Sequence, residues 1–461
     1  MERVLPKTLN YQDVLPLAVE SRARRRTFFP INGQEFKAAG ANIIRIDLSA
    51  DALLDTQHSY LRFQFKNDDA KTCGLDYAGG HAFIRRLRIE QSGVVLEDIN
   101  SYNRLMGAIV LPCQSGYDHE QERGITEGIN AGGANTVAGS ITAGDNLDVL
   151  AQGSASGGNM LGLVQHKNDA IANQGTYDFC IPLNSGLLNN EKLIPLMLMS
   201  APLTIEIELA PLNQPVCFAD TAATNYFISN VRYIANLVEV GQDVAGQLRM
   251  LQEVSGGVLT LAGQTYRHFT GAITATTGDQ IINVPARVKS MKSLFFASQS
   301  STGDAQNRYN IGTGGNMKLN EYQLKIGSVV YPPTPVRCNF GTGSKADVAT
   351  TRAEPLMELA KAWGSVGSTK GIGKLNQVNY GRDENGEVGS GGAMSLTPFG
   401  LDMEAFQRVA IESGVNTADR SLPISLILGF TEQPTATNVD VYVLADALFY
   451  LNADGSMSVS V

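Results

Sequence analysis

Apolar and polar residues alternate in short runs along most of the chain. Ile44, Ile46 and Leu48 are separated by two charged residues, and the same period of two recurs at 61–66 and at 205–209. A period of two places alternate side chains on opposite faces of a strand, and here one of the two faces is apolar. The pattern therefore predicts half-buried β-strands.

Further strand-like runs follow in both halves of the chain. Residues 83–90 and 94–98 are separated by Gln-Ser-Gly, which predicts a hairpin in which Gly93 adopts a positive φ angle. Short helices are predicted at 100–110 and 354–363, and the apolar spacing at 244–251 predicts a helical connector. The remaining predicted strands are 176–183, 193–213, 225–240, 266–274, 280–284, 288–297, 322–331, 421–431 and 439–451.

Two stretches have a different composition. Residues 124–162 consist mainly of Gly, Ala, Ser, Asn and Thr, and residues 364–392 form a second Gly-rich, polar stretch. Both contain too few large apolar residues to form a core of their own, so they are predicted to be long loops. A loop of this length is either mobile or held by a neighbouring copy of the chain, and the second possibility favours an oligomer.

Each half of the 461-residue chain thus contains about eight strands, one helix and one long loop. This order predicts an all-β protein made of two consecutive eight-stranded jelly-roll β-sandwiches with short helices and long loops. The second half repeats the plan of the first without obvious sequence identity. The predicted organisation is an N-terminal basic arm (1–37), a first jelly roll (38–240), a helical connector (241–256) and a second jelly roll (257–461).

The chain is acidic as a whole, with a formal net charge of −9, which argues against nucleic-acid binding over the entire surface. The first 37 residues are an exception, because seven basic side chains face four acidic ones. Arg22, Arg24, Arg25 and Arg26 precede the first convincing strand, so they are predicted to lie in an extended arm outside the sheets. The arm is either a solvated tether or a segment that joins neighbouring subunits or faces nucleic acid or an anionic membrane.

A second basic cluster lies on a predicted strand. Arg85, Arg86 and Arg88 have no exposed aromatic residues interleaved with them, so stacking on nucleic-acid bases is not favoured. Surface solvation or a salt bridge between subunits explains them better.

The cysteines and the start of the chain indicate the compartment. The five cysteines are widely spaced without a CxxC pair, which is typical of reduced core residues. The first 14 residues carry charges where a secretory signal would need an apolar run, and Pro195 and Pro202 interrupt the longest apolar stretch. We therefore expect neither secretion by that route nor a membrane span, and synthesis in a reducing compartment.

Patterns typical of catalysis are weak. The five histidines lack HxH or HExxH spacing, and Glu206 and Glu208 share the outward face of a strand, where solvation explains them better than a catalytic carboxylate pair. The glycine-rich runs at 312–318 and 341–345 do not have the spacing of a phosphate-binding loop, and no GxSxG motif is present. We expect no catalytic, cofactor-binding or metal site, and predict that the protein is not an enzyme.

Four segments in fixed order carry a family resemblance. They are IIRIDLSADALLDTQHSYLRFQFKN (43–67), AFIRRLRIEQSGVVLEDINSYNRL (82–105), KLIPLMLMSAPLTIEIELAP (192–211), and the C-terminal pair SLPISLILGF (421–430) and NVDVYVLADALFYLNADGSMSV (438–459). In these segments the chain resembles the double jelly-roll major capsid proteins of tailless icosahedral double-stranded DNA viruses. The resemblance is strongest to those of polinton-like viruses, virophages and their giant-virus relatives.

The resemblance implies a structural role. A homotrimer of double jelly rolls would form a pseudo-hexagonal capsomer, and neighbouring trimers would tile the shell together with penton and minor capsid or cement proteins. It also implies a location in the virion, after synthesis in the host cytoplasm or nucleus. The N-terminal arm would lie at the inner face, near genome DNA or an internal membrane. The alternative is a jelly-roll carbohydrate-binding protein, a lectin or adhesin, although the sequence shows no acidic calcium loop.

Overall fold

The computed structural model describes a large, predominantly β part of the chain. The described residues are 21–68, 73–76, 78–114, 123–128, 174–218, 225–299, 311, 314–338, 340, 352–364, 375, 380–381, 397–405 and 414–461. Residues 1–20 of the predicted arm lie outside them, as do 129–162 of the first Gly-rich loop and most of the second.

The first half of the described chain forms a β-sandwich. Its strands are β1 (Ser21–Phe28), β2 (Glu35–Lys37), β3 (Ile43–Leu48), β4 (Leu53–Asn67), β5 (Cys73–Leu75), β6 (Ile84–Gln91), β7 (Val94–Asn100), β8 (Thr176–Ile181), β9 (Ile194–Pro195), β10 (Leu203–Leu209), β11 (Val216–Phe218) and β12 (Tyr226–Val240). Sheet A has the order β1-β12-β4-β8, with β2 paired to β12 and β9 to β4. Sheet B has the order β3-β10-β6-β7, and β11 pairs with β5.

The second half forms another sandwich. Its strands are β13 (Val258–Ile273), β14 (Gly278–Asn283), β15 (Met291–Ser298), β16 (Glu321–Ile326), β17 (Val329–Arg337), β18 (Phe399–Asp402), β19 (Ile424–Phe430), β20 (Thr437–Asn452) and β21 (Met457–Ser460). Sheet C has the order β13-β20-β15-β18, with β21 paired to β20. Sheet D has the order β14-β19-β16-β17.

The helices are few and short. They include α1 (Tyr102–Arg104), a π-helical turn (Leu105–Val110), α2 (Leu111–Gln114), α3 (Gln242–Val254), α4 (Ala353–Ala362), and 3-10 turns at Gly79–Phe83 and Leu196–Leu198. Residues 123–126 are helical as well. In the part of the chain that is described, no helix is both long and apolar enough to cross a membrane. Helix α3 lies where the sequence predicted a helical connector.

The two sandwiches have the same topology. Numbering the eight main strands of each in chain order, one sheet runs 1-8-3-6 and the other runs 2-7-4-5 in both halves. Both also place a helical segment between their fifth and sixth main strands. This arrangement of two four-stranded antiparallel sheets is the jelly roll, so the predicted fold class of two consecutive eight-stranded jelly rolls is confirmed.

The predicted alternation matches burial in sheet B. Ile44, Ile46 and Leu48 are buried, and β10 is strictly alternating. The predicted hairpin joins β6 to β7, with Gly93 at a φ of 81°. The corresponding hairpin between β16 and β17 also has a two-residue turn, in which Gly327 has a φ of 61°. Glycine meets the need for a positive φ in such turns at little cost.

The prediction of an N-terminal arm over residues 1–37 is wrong from residue 21 onward. Strand β1 pairs antiparallel with β12, from Ser21 opposite Val240 to Phe28 opposite Tyr233. Strand β2 continues along the same side of β12. Residues 21–37 therefore belong to the first jelly roll, whose first main strand is β1. Local patterning did not indicate this pairing because the partner strand lies about two hundred residues away, and an edge strand tolerates a run of charged residues.

Candidate assembly surfaces

The two sandwiches meet along a seam within the chain, where β7 of the first packs against β13 of the second. Glu97 of β7 is buried there. Its Oε1 accepts hydrogen bonds from Thr265 Oγ1 of β13 at 2.9 Å and from the Gly186 N–H at 3.0 Å, and its Oε2 accepts one from Ser185 Oγ. Burial raises the pKa of the Glu97 carboxyl although these donors oppose the rise. The seam is therefore held by a polar anchor as well as by apolar contacts.

A buried ion pair crosses the seam at another point. Arg104 of α1 reaches into the second sandwich, where its Nε lies 3.1 Å from Asp440 Oδ2. Its other nitrogens donate to the carbonyls of Ser298 (2.6 Å) and Ile311 (2.8 Å). His268 Nε2 lies 2.9 Å from the other oxygen of Asp440. Burial raises the pKa of Asp440, but hydrogen bonding to His268 and the charge of Arg104 outweigh it, so the pKa is lowered.

Two glycines allow the backbones at the seam to approach closely. A Cβ on Gly186 would collide with the backbone of Gln264, and a Cβ on Gly263 would collide with the Gly186 carbonyl. Glycine at both positions thus permits main-chain contact between a loop of the first sandwich and β13. Nothing in the sequence pattern distinguishes these two glycines from the glycines of ordinary turns.

The predicted site residues lie on β1, the outermost strand of sheet A in the described structure. Arg22, Arg24, Arg25 and Arg26 are all exposed. Arg24 pairs with Glu239 at 2.9 Å, Arg25 donates to the Tyr60 hydroxyl at 3.3 Å, and the Arg26 guanidinium lies 4.9 Å from the centre of the Phe28 ring. The structure places all four on one edge strand, with a backbone edge that no described strand covers.

An exposed apolar corner adjoins the end of β1. Phe29, Ile31 and Ile43 are 60%, 63% and 40% exposed. Phe29 also lies under the guanidinium of Arg232, at 5.7 Å. We call this corner together with β1 the β1 side of the first sandwich.

The opposite end of the chain also carries an uncovered side. Strand β17 is the outermost strand of sheet D, and most of its residues are partly or fully exposed. Helix α4 packs against β17 and exposes 54% of Met357. We call β17 together with α4 the β17 side of the second sandwich.

The second basic cluster is neutralised within the chain. Arg86 forms a two-point contact with Asp98 at 2.6 and 2.7 Å, and Arg85 lies 3.5 Å from Glu208. Arg88 lies 3.2 Å from Glu90 and also near Glu206. These arginines are thus paired across sheet B, and the outward glutamates that the sequence assigned to solvent are their partners.

One buried cluster was not predicted. His81 Nε2 lies 2.8 Å from Glu127, which also contacts Arg123 at 2.8 Å, and His81 Nδ1 is 3.3 Å from the Tyr102 hydroxyl. Burial alone would raise the pKa of Glu127, but the hydrogen bonds and charges of His81 and Arg123 lower it to about 2. The cluster fixes the beginning of the first Gly-rich loop. Among the described residues, no group of three or more His, Cys, Asp or Glu side chains is placed to hold a metal ion.

Solved structures share this architecture over nearly the whole chain. A chain of the PBCV-1 virus capsid matches with a TM-score of 0.55 at 10% identity, covering 98% of this chain and 99% of that one. A chain from the cryo-EM structure of the Sputnik virophage matches with a TM-score of 0.55 at 10% identity, covering 99% and 92%. The Faustovirus major capsid protein matches with a TM-score of 0.54 at 9% identity, covering 95% and 91%.

No protein-family model matches the sequence, and no curated protein does so either. At 9–10% identity the structural likeness defines the class of fold, which is the double jelly roll.

Proposed function

We propose that this chain is a major capsid protein, a structural rather than catalytic component of the shell of a double-stranded DNA virus. The observation that carries the proposal is the match of both jelly rolls, in order and over at least 95% of the chain, to chains of virus capsids. The carbohydrate-binding alternative has no comparable observation in its favour.

The internal repeat explains how copies would assemble. The seam joins the β7 side of the first sandwich to the β13 side of the second. By topology β17 corresponds to β7, and β1 corresponds to β13. The counterparts of the two seam strands lie on the β17 side and on the β1 side. Neither side is covered by another sandwich of the same chain. A contact between the β17 side of one copy and the β1 side of the next would repeat the seam head to tail.

A head-to-tail contact closes into a ring when its rotation allows. Three chains would supply six sandwiches, which is the homotrimeric capsomer that the sequence resemblance implies. The exposed apolar corner of Phe29, Ile31 and Ile43 lies where such a contact needs apolar surface.

The repeat also favours one role for the basic residues of β1. The equivalent strand β13 packs against β7 of the neighbouring sandwich, which favours a place in a contact between subunits for Arg22, Arg24, Arg25 and Arg26. The residues that precede the apolar segment 14–19 would then be the part of the chain left to reach genome DNA or an internal membrane. Neighbouring trimers, penton proteins and minor capsid proteins would be the further partners in the virion.

Light scattering on the purified full-length protein tests the proposal, followed by electron microscopy at increasing concentration. We expect a mass of three chains and, at higher concentration, hexagonal lattices or closed shells. A monomer that forms neither trimers nor lattices over the accessible range of concentration and salt would overturn the proposal.

A further inference from the structure

An apolar groove lies at the end of the seam where α3 connects the two sandwiches. It has a volume of about 570 Å³. Leu248 and Leu251 of α3 form one wall, and Leu53, Leu193 and Leu259 contribute to the other. Because its walls come from the helix and from both sandwiches, an occupant of this groove would bind all three at once.

Exposed apolar side chains lie in and next to the groove. Leu251 and Leu193, which line it, are 53% and 38% exposed, and Met250 and Val254 near Leu251 on α3 are 67% and 86% exposed. Isolated exposed apolar residues are ordinary, but a contiguous patch that borders a groove indicates a binding surface. The patch therefore needs an occupant that brings apolar side chains.

The chain itself supplies a suitable segment beside the groove. Residues 14–19, Val-Leu-Pro-Leu-Ala-Val, have no charged side chain and end two residues before β1. Ser21 pairs with Val240 on one side of β12, and Leu53 of the groove pairs with Val238 on the other side. Two strand spacings amount to about 10 Å, so the segment enters the described structure close to the groove.

The dimensions of segment and groove also agree. Six extended residues span about 20 Å, and a helix of 13 residues such as α3 is about 20 Å long. Pro16 disfavours helical conformation at Leu15 and removes a backbone N–H that an apolar groove could not satisfy.

We propose that residues 14–19 bind in the groove of their own chain, with Leu15 and Leu17 as the buried side chains. In this position they fasten α3 to both sandwiches. The proposal concerns a contact within one chain, so it does not depend on the proposed capsid function.

Site-specific photo-crosslinking in the full-length protein tests the contact. A benzophenone amino acid replaces Leu17, the sample is irradiated, and the adducts are located by peptide mass spectrometry. We expect adducts on α3 or around Leu193. Adducts that lie only elsewhere would overturn the proposal.

A mixture of isotopically light and heavy chains, combined before irradiation, distinguishes the occupants. Adducts within one chain support the proposal. Adducts between light and heavy chains would overturn it and assign the groove to the same segment of a second copy.

A pair of variants adds a second measurement. Leu251→Asp should lower the yield of the groove adduct about tenfold, the effect of replacing one buried leucine contact by a charge. Ile281→Asp is the matched control, because Ile281 lies on β14 and is similarly exposed. This substitution should leave the yield of the groove adduct unchanged. An unchanged yield in Leu251→Asp would contradict the proposal. Electron microscopy of the same samples reports shell formation separately, so failure of the groove contact and failure of the capsid proposal are distinguishable.

Discussion

The two jelly rolls have one topology but different surroundings. In the second sandwich the first main strand, β13, is packed against a neighbour, and Leu261 and Thr265 on it are buried. In the first sandwich the equivalent strand, β1, has six exposed residues in succession. The reverse holds for the fifth strands, since Leu96, Glu97 and Ile99 of β7 are buried whereas β17 is largely open.

The same jelly-roll topology can therefore have a side that is buried in one sandwich and exposed in the other. Burial at the seam comes from the presence of the other sandwich. The chain therefore contains one completed contact, and under the proposed assembly its two open sides would be the halves of a second one.

The largest effect is expected from removing the ion pair at the seam. Arg104→Met leaves Asp440 buried without its guanidinium partner, so the free energy of unfolding should fall by about 3–5 kcal/mol. Urea denaturation followed by circular dichroism and by fluorescence of Trp363, which packs on Phe295 of the second sandwich, measures the loss. Arg85→Met, which removes an exposed ion pair, should cost at most about 1 kcal/mol. Equal losses in the free energy of unfolding would show that the buried ion pair at the seam stabilises the chain no more than the exposed one.

A smaller effect is expected from filling the close approach at the seam. Gly263→Ala would push β13 away from the Gly186 carbonyl and should destabilise the chain by about 1–3 kcal/mol. Gly246→Ala on α3 is the matched control, since a Cβ there meets no atom within 4 Å. That change should stabilise the chain by about 0.5–1 kcal/mol, because alanine favours a helix over glycine. Thermal unfolding of both variants checks the opposite signs.

The β1 side is tested by measuring trimer formation rather than the free energy of unfolding. Ile31→Asp places a charge in the exposed corner and should weaken trimer formation about tenfold, while the monomer unfolds as before. Sedimentation velocity over a concentration series measures the shift. Ile281→Asp changes an equally exposed isoleucine on the second sandwich and should assemble normally. Trimers of unchanged affinity in Ile31→Asp would exclude the β1 corner from the subunit contact.

The smallest effect is a change in the pH dependence of stability. The folded pKa of Glu97 is raised above its ordinary value of 4.5, so its contribution is fully present below that pH and is lost as pH rises through the folded pKa. Glu97→Gln should therefore flatten the decline of stability above pH 4.5, measured by urea midpoints. Asp440 has a lowered pKa, and its contribution is lost only as pH falls below its ordinary value of 3.8, outside this window. An unaltered slope in Glu97→Gln would assign the decline to other groups.

Much of the fold could be predicted from the sequence. Alternation located β3, β6, β7 and β10, and glycine placed the turn at Gly93, because these features depend on neighbours within a few residues. The position of a helix before each long loop followed in the same way, whereas β1 and β18 were not among the predicted strands. The cluster of Arg22, Arg24, Arg25 and Arg26 was also recognised, although its position on a strand of the first sandwich was not.

The alternation and the turns can be read from neighbouring residues, and they are enough to predict two jelly rolls. The pairing of β1 with β12, and the burial of Asp440 between Val439 and Val441 of β20, follow from the tertiary structure and not from the local pattern. The tertiary structure also decided which glycines lie against a backbone from the other sandwich. The reason is physical: alternation reports the two faces of one strand, whereas edge pairing and seam burial depend on partners far away in the chain.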